Sequence, residues 1–417
     1  YNNSFNIKTL PEVTKIDRLC LDDADDLWKE KIEKLKKAKR ILVTCGQNSY
    51  VSLALQESLK EFFKKYNSAV SIEYMSNIEI EKGLNLNVCM DARYVIPKKV
   101  KEFLPDIVIS FGGNIFAGIK EQFRKFAGEF EHWLVQEDGR VVDLYKSITT
   151  IFECKPEYFF KYCVNVADEN QTNDCEYYQG LKKYVDSVIY PDFPYSHVYA
   201  IKEVVEKIPA DSVLHLSIND SIRITNFFKL NPRIKTYANI GTHGIDGCLS
   251  SFLGQAAAGN KQSYLVIGDL AFFYDMNAMR LRHIKNNVHI LLINNEGGSE
   301  FYFNHMWKDE ASDLHTTARH HTKAEGWVKS NNFIYLSAHD KESMQEALKE
   351  FMRSDLEKPV FLEVFTEMKT DSDVIYDFFD LSRPKDVQSE TIRKSKEFIK
   401  ATIGQEKAQK IAGLFKK

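Results

Sequence analysis

Short apolar runs, each closed by a glycine or a polar pair, alternate along this chain with stretches whose apolar residues recur at helical spacing. The runs read as strands buried on both faces, and the stretches between them as helices packed on a sheet. In the first part, strands are expected at 40–46, 105–113, 132–135 and 141–144, with helices over 25–37, 51–66 and 120–130. In the second part, strands are expected at 212–217, 234–238, 263–267, 288–293, 333–336 and 360–364. Helices are expected there at 201–208, 247–258, 278–284 and 341–351. This alternation predicts the α/β class, as two three-layer α/β/α domains with mostly parallel sheets. A polar stretch at 169–174 and the prolines at 191 and 194 put the boundary between about 172 and 192. The expected domains are therefore 1–180 and 190–385, followed by a charged, helix-patterned tail over 386–417.

Two neighbouring runs carry candidate chemistry. The run at 263–267 closes on Gly268-Asp269, and the run at 288–293 closes on Asn294-Asn295-Glu296-Gly297-Gly298. With one crossover helix between them, the strands are parallel, and Asp269 and Asn295 emerge at their C-terminal ends, where open sheets bind ligands. A carboxylate, an amide oxygen and glycine carbonyls are hard oxygen ligands suited to a magnesium-sized ion. Glycines beside them let a phosphate approach the backbone. The residues alone point to a site for a metal-bridged diphosphate.

Other features change the picture less. A Gly-Asp pair after a strand is common, and by itself means little. His243 and Asp246 could form an acid–base pair or serve the local backbone. His305, His315, His320 and His321 fall in a polar stretch, 304–323, that reads as a long loop over the strand ends. Their spacings match no usual zinc set. Gly46 and Gly112-Gly113 do not complete a dinucleotide fingerprint and read as tight turns.

The chain has 417 residues, enough for two domains, and 44% of them are hydrophobic, enough for full cores. A net charge of -3 gives no reason to expect a nucleic-acid or anionic-membrane partner. No apolar run reaches membrane-spanning length. Seven cysteines without CxxC spacing favour buried free thiols in a reducing compartment, which points to the cytoplasm.

These motifs together resemble the cofactor site of thiamine diphosphate-dependent enzymes. The resemblance implies thiamine diphosphate and Mg2+ as cofactors, with the metal held by Asp269, Asn295 and the Gly297 carbonyl. The segment 239–247 is similar to the one that bends the cofactor, with Ile245 as its apolar wedge and Gly241, His243 and Gly244 around it. Gly268, Leu270 and Gly298 complete the implied cofactor set. Leu270 after Gly-Asp, the run from Tyr274 to Asn277 and the Asn-x-Gly-Gly ending are shared with the menaquinone-pathway synthases of that family. The likeness covers the family's middle domain (1–180) and its diphosphate- and Mg-binding domain (190–385).

Substrate residues only partly follow the pattern. Arg223 falls on a family arginine, whereas Asn219 stands where a serine is expected; Phe301 is the third substrate candidate. Ile240 replaces another arginine, and Ala117 and Gly118 replace a Ser-Lys pair. The resemblance thus implies a decarboxylase or carboligase acting on a different small 2-oxo acid, with a wider and more apolar entrance. The alternative is a non-catalytic or regulatory homologue kept as an assembly partner. The family's activating glutamate lies on a pyrimidine-binding domain, so no catalytic residue is assigned in this chain. That domain is expected upstream in cis, since the first dozen residues read as a linker, or in trans. A homo-oligomer, dimer or tetramer, is expected in either case.

Overall fold

The computed structural model describes residues 15–21, 25–91, 94–115, 118–303 and 315–382. The first lobe holds strands β1 Asp17–Cys20, β2 Ile41–Cys45, β3 Ser68–Ile72, β4 Ile107–Phe111, β5 Glu131–Val135 and β6 Ile148–Glu153. The second holds β7 Val213–Leu216, β8 Lys235–Ala238, β9 Ser263–Gly268, β10 Val288–Asn294, β11 Ile334–Ala338 and β12 Val360–Phe365. The two six-stranded sheets run in the orders β1-β6-β5-β4-β2-β3 and β11-β12-β10-β9-β7-β8. Every described pairing is parallel. Helices cover both faces, which is why β2, β4 and β10 are buried along their whole length.

Strand order positions the site. From β7 the chain moves to β8 on one side, then to β9 and β10 on the other. The direction of winding therefore reverses between β7 and β9, and a crevice opens at their C-terminal ends. Ser217 to Asp220 leave β7 there, and Asp269 leaves β9. The register pairs Ile293 with Gly268, so the end of β10 lies level with the end of β9.

The first lobe has a similar reversal between β2 and β4, but its crevice is closed. Gly46 packs so tightly that a side chain there would collide with the Gly113 carbonyl. Gly113 N–H donates to Gln47 O at 2.7 Å, and Gln47 N–H to Asn114 O at 2.9 Å. These glycines serve backbone-on-backbone packing.

Several expectations need correction. The run at 141–144 is not a strand: Val141 and Val142 are exposed, and Asp143 Oδ1 accepts the N–H groups of Tyr145 and Ser147, which turns the chain. The strand lies just beyond, at β6. The helix expected over 120–130 is Ile119–Arg124, and Gly128 follows with φ +81. The crossover expected at 278–284 begins at Asp269 itself, as the helix Asp269–Asp275 and the tighter turn Met276–Arg280. Within 172–192, where the domain boundary is expected, lies the helix Glu176–Asp186, which buries Tyr177, Tyr178, Leu181 and Tyr184. Tyr184 stacks on Phe103 of the first lobe, with ring centroids 5.1 Å apart.

None of the seven cysteines is in a disulfide, and Cys45, Cys89, Cys154, Cys163 and Cys248 are buried. No described helix is long and apolar enough to cross a membrane. The N-terminal dozen residues, Ala117, His305 and the tail 386–417 lie outside the described residues.

Candidate diphosphate and metal site

Asp269 opens the helix after β9 and is 1% exposed. Its Oδ1 accepts Leu270 N–H at 2.6 Å, and its Oδ2 accepts Gly297 N–H at 3.0 Å. The second bond ties the end of β9 to the loop after β10. That loop needs unusual backbone: Glu296 has φ +64 and Gly297 has φ +154. A Cβ at Gly297 would sit 2.7 Å from Thr317 O, so only glycine fits. Gly298 N–H donates to Thr317 O at 2.7 Å, and His320 N–H to Glu296 O at 3.0 Å, which seats the loop.

Asn295 is oriented by a buried acid. Its Nδ2 donates to Asp371 Oδ2 at 2.9 Å, and this network assigns the amide so that Oδ1 faces the other way. Asp371, on the helix Met368–Ser382, also accepts Thr366 Oγ1–H at 2.7 Å and His197 N–H at 2.8 Å. Next door, Asn294 Nδ2 donates to Glu363 Oε1 at 2.7 Å.

One cavity of about 110 Å³ gathers most of the expected residues. It is lined by Asn219, Ile245, Gly268, Asp269, Leu270, Asn295, Gly297, Gly298 and Phe301, among others. Gly241, His243, Gly244 and Arg223 are not on its wall. Gly241 and His243 are exposed nearby, and His243 has φ +56. Gly244 is pressed against the Asp246 carboxylate. Asp246 O accepts Asn239 Nδ2–H at 3.1 Å, a contact that shapes the turn. Asn219 has φ +58 and ψ -120, a rarely populated conformation at the end of β7. A larger cavity of about 810 Å³ lies between 57–85 and 229–234, and it shares no lining residue with the first.

Behind Asn219 lies a charge cluster. Arg223 Nη1 contacts Asp220 Oδ1 at 3.2 Å and is hydrogen-bonded to Glu300; Nε is 3.8 Å from Asp91 Oδ2. Burial opposes its charge, but the carboxylates of Glu300, Asp220 and Asp91 outweigh it and hold the guanidinium above its ordinary range. Burial and the neighbouring Asp220 push the Glu300 carboxyl up. His197 is 1% exposed; Nδ1 lies 3.2 Å from Asp371 Oδ1, and Nε2 3.7 Å from Asp220 Oδ2. Burial alone would lower it, yet the two acids lift it to about 9.

The sequence reading missed His197, Asp220, Glu300, Glu363 and Asp371. His197, Glu363 and Asp371 lie in apolar or helix-patterned runs that name no chemistry, and Asp220 and Glu300 stand beside the expected Asn219 and Phe301 without being part of the pattern. His320 was legible only as one of four loop histidines. Its Nε2 is 3.3 Å from Asp269 Oδ2, which holds the imidazolium above its usual value. Among the described residues no three His, Cys, Asp or Glu side chains could hold a metal together. An Asp–Asn–carbonyl set contains only one such residue.

At the places where the family pattern breaks, packing explains part of the change. Ile240 is 1% exposed and belongs to the main core. A Cβ at Gly118 would lie 2.5 Å from Met90 O, so the main chain at Met90–Asp91 fills the room of the absent side chain. The same stretch carries Asp91, whose Oδ2 lies 3.8 Å from Arg223 Nε.

No family model matches the chain. It is 33% identical over 384 residues to 2-succinyl-5-enolpyruvyl-6-hydroxy-3-cyclohexene-1-carboxylate synthase of Phocaeicola vulgatus, covering 90% of this chain and 67% of that protein. The synthase of the same name from Bacteroides fragilis is 32% identical over 380 residues, with the same coverage of 90% and 67%. That of Flavobacterium johnsoniae is 27% identical over 396 residues, covering 91% of this chain and 69% of the relative. The match spans both sheets and leaves about a third of each relative outside it. The chain belongs to the 2-succinyl-5-enolpyruvyl-6-hydroxy-3-cyclohexene-1-carboxylate synthase family of thiamine diphosphate enzymes.

Proposed function

We propose that this chain provides the diphosphate- and metal-binding part of a thiamine diphosphate- and Mg-dependent 2-oxo acid decarboxylase or carboligase. Its product differs from that named for its relatives, because Asn219, Ile240 and Gly118 depart from the family's polar side chains. The observation that carries the reading is the donor set at one cavity. Asp269 and Gly297 are bonded to each other, and Asn295 spends its Nδ2 on Asp371 and keeps Oδ1 for another partner. Carboxylate, amide oxygen and carbonyl are the hard ligands a magnesium ion prefers. Gly268 and Gly241 have no atom within 4 Å of where a Cβ would stand, which leaves room for a ligand to approach the backbone. The residues present therefore fit the cofactor.

In this reading Asp269, Asn295 and the Gly297 carbonyl hold the metal, and the metal reverses the repulsion between Asp269 and a diphosphate. Ile245, on the cavity wall, would be the apolar contact of the cofactor. Thiamine diphosphate, when bound, supplies the electron sink for decarboxylation of a 2-oxo acid. A pyrimidine-binding domain, in cis or in trans, completes the site within a homo-oligomer.

Calorimetry of the full-length protein with thiamine diphosphate, with and without magnesium, tests the reading. Wild type should bind in a magnesium-dependent manner, and Asp269→Asn should bind about tenfold or more weakly. Unchanged affinity in the variant removes the proposal. One observation favours the second reading, a non-catalytic relative kept as an assembly partner: Arg223 is already engaged by Asp220 and Glu300. That reading expects no thiamine diphosphate affinity even in excess magnesium.

A further inference from the structure

Arg223 sits on the helix Asp220–Thr225, behind the wall of the cleft. The wall in front of it is made by Asp220 and Glu300, the two acids that hold its guanidinium. A third acid, Asp91, approaches from the first lobe at 3.8 Å. Ser299 Oγ donates to Asp220 Oδ2 at 2.7 Å, tying the short helix Ser299–Phe303, which carries Glu300, to the helix that carries Arg223. Glu300 is thus presented to Arg223 by its own backbone, at an effective concentration that a free ligand does not match.

The charge balance around the cleft is one-sided. Its charged lining residues are Asp220, Asp269, Glu300 and His197. His197 lies between Asp220 and Asp371, and its charge is matched by the latter. Asp220 and Asp91 face the same guanidinium, at 3.2 and 3.8 Å. A carboxylate entering the cleft has to displace Glu300, lose its own hydration and stand beside Asp220.

We propose that Glu300 is the specificity-determining residue of this cleft. It occupies the guanidinium that would receive a ligand's carboxylate, so the cleft rejects free carboxylates and takes negative charge only together with a divalent cation. Donors bearing a second carboxylate are the class it excludes most strongly. This goes beyond the proposed cofactor role and needs no cofactor to be examined.

The test is titration of the full-length protein with pyruvate and with 2-oxoglutarate, without metal or thiamine diphosphate, followed by calorimetry and by protein NMR shifts. Wild type should bind both weakly. Glu300→Gln, which keeps the shape, and Glu300→Ala, which clears the space, should each bind about tenfold or more tightly, the worth of one charge-assisted bond. In Glu300→Gln/Arg223→Gln the gain should vanish. Equal affinity in wild type and both single variants, or a gain that survives without Arg223, overturns the inference. Circular dichroism melting confirms that each variant is folded. Loss of magnesium-dependent cofactor binding in Asp269→Asn is read separately, so failure of the cofactor reading and failure of this one give different results.

Discussion

Asp371 decides what Asn295 can do. It is fully buried and serves donors from three parts of the chain: His197 N–H, Asn295 Nδ2 and Thr366 Oγ1. Replacing it by Asn puts a donor where an acceptor is needed, so at least one buried N–H or O–H loses its partner. Asp371→Asn should destabilise the fold by about 2 kcal/mol in urea denaturation. Under the proposed metal role of Asn295 it should also weaken magnesium binding, because the Asn295 amide is then free to turn over. Gly297 is the complementary case. At φ +154 with Thr317 O in the way, Gly297→Ala should lower stability by about 1–3 kcal/mol through backbone strain alone. A melting temperature equal to wild type would show that the loop after β10 yields easily. Ile245 is half-buried where two hydrophobic clusters meet and also lines the cavity. Under the proposed cofactor contact, Ile245→Ala should reduce turnover more than cofactor affinity, since an apolar contact acts on geometry and not on charge. Equal losses would mark it as ordinary core.

At the level of elements, legibility followed burial. Strands β9 and β10 could be read from sequence because both faces are covered, leaving uninterrupted apolar runs with abrupt polar ends. The same ends carry Asp269 and Asn295, so the centre of the candidate site was readable along with the strands that present it. β1, with the sequence DRLC, and β3, with SAVSI, were not readable: each is short and interrupted by small or polar residues, although β3 is buried from Ser68 to Ser71. The supports of the site were hidden for a different reason. Glu363 interrupts an apolar strand, and its sequence context gives no hint that it accepts Asn294 Nδ2 at 2.7 Å, Tyr335 O–H at 2.7 Å and Ala324 N–H at 3.1 Å. It joins β12 to β10, to β11 and to the start of the helix Glu325–Ser330. Glu363→Ala should therefore cost about 3 kcal/mol or more, and clearly more than Glu363→Gln, in chemical denaturation. Not every suggestive constellation is a site. Ser110 Oγ is 2.6 Å from His132 Nε2, and Asp143 Oδ1 is 3.6 Å from His132 Nδ1, an order familiar from hydrolases. Ser110 is 1% exposed and His132 0%, so no substrate reaches the hydroxyl, and burial holds the imidazole below its usual value.

Across the whole molecule, the two lobes are joined by polar contacts close to the strand ends. Gln47 Nε2 donates to Ala238 O at 2.7 Å, Asn77 Oδ1 accepts Thr236 N–H at 2.8 Å, and Asn85 Nδ2 donates to Asn226 O at 2.7 Å. Within the second lobe, His197 joins the helix His197–Val205 to Asp371 on the last described helix and to Asp220 on a third. This three-part junction makes stability depend on pH. In the folded chain the imidazole is lifted from its ordinary 6.5 to about 9 by Asp371 and Asp220, against the opposing effect of burial. The folded state then holds a proton that the unfolded chain releases between those values. The contribution of the junction is complete below about pH 6.5 and is lost as pH rises through 9. Asp220 acts in the opposite sense. Burial opposes its charge, but His197 and Arg223 hold its carboxyl well below the ordinary 3.8. Its contribution is present above that value and is lost on acidification. The junction should therefore be most stabilising between about pH 4 and 6.5. Melting temperatures of wild type and His197→Gln, measured from acid to alkaline pH, isolate the alkaline limb. The gap between the two should be widest near pH 6 and should narrow steadily towards pH 9. A gap that stays constant over that range would mean His197 is neutral in the folded chain, leaving Asp371 and Asp220 without their shared cation.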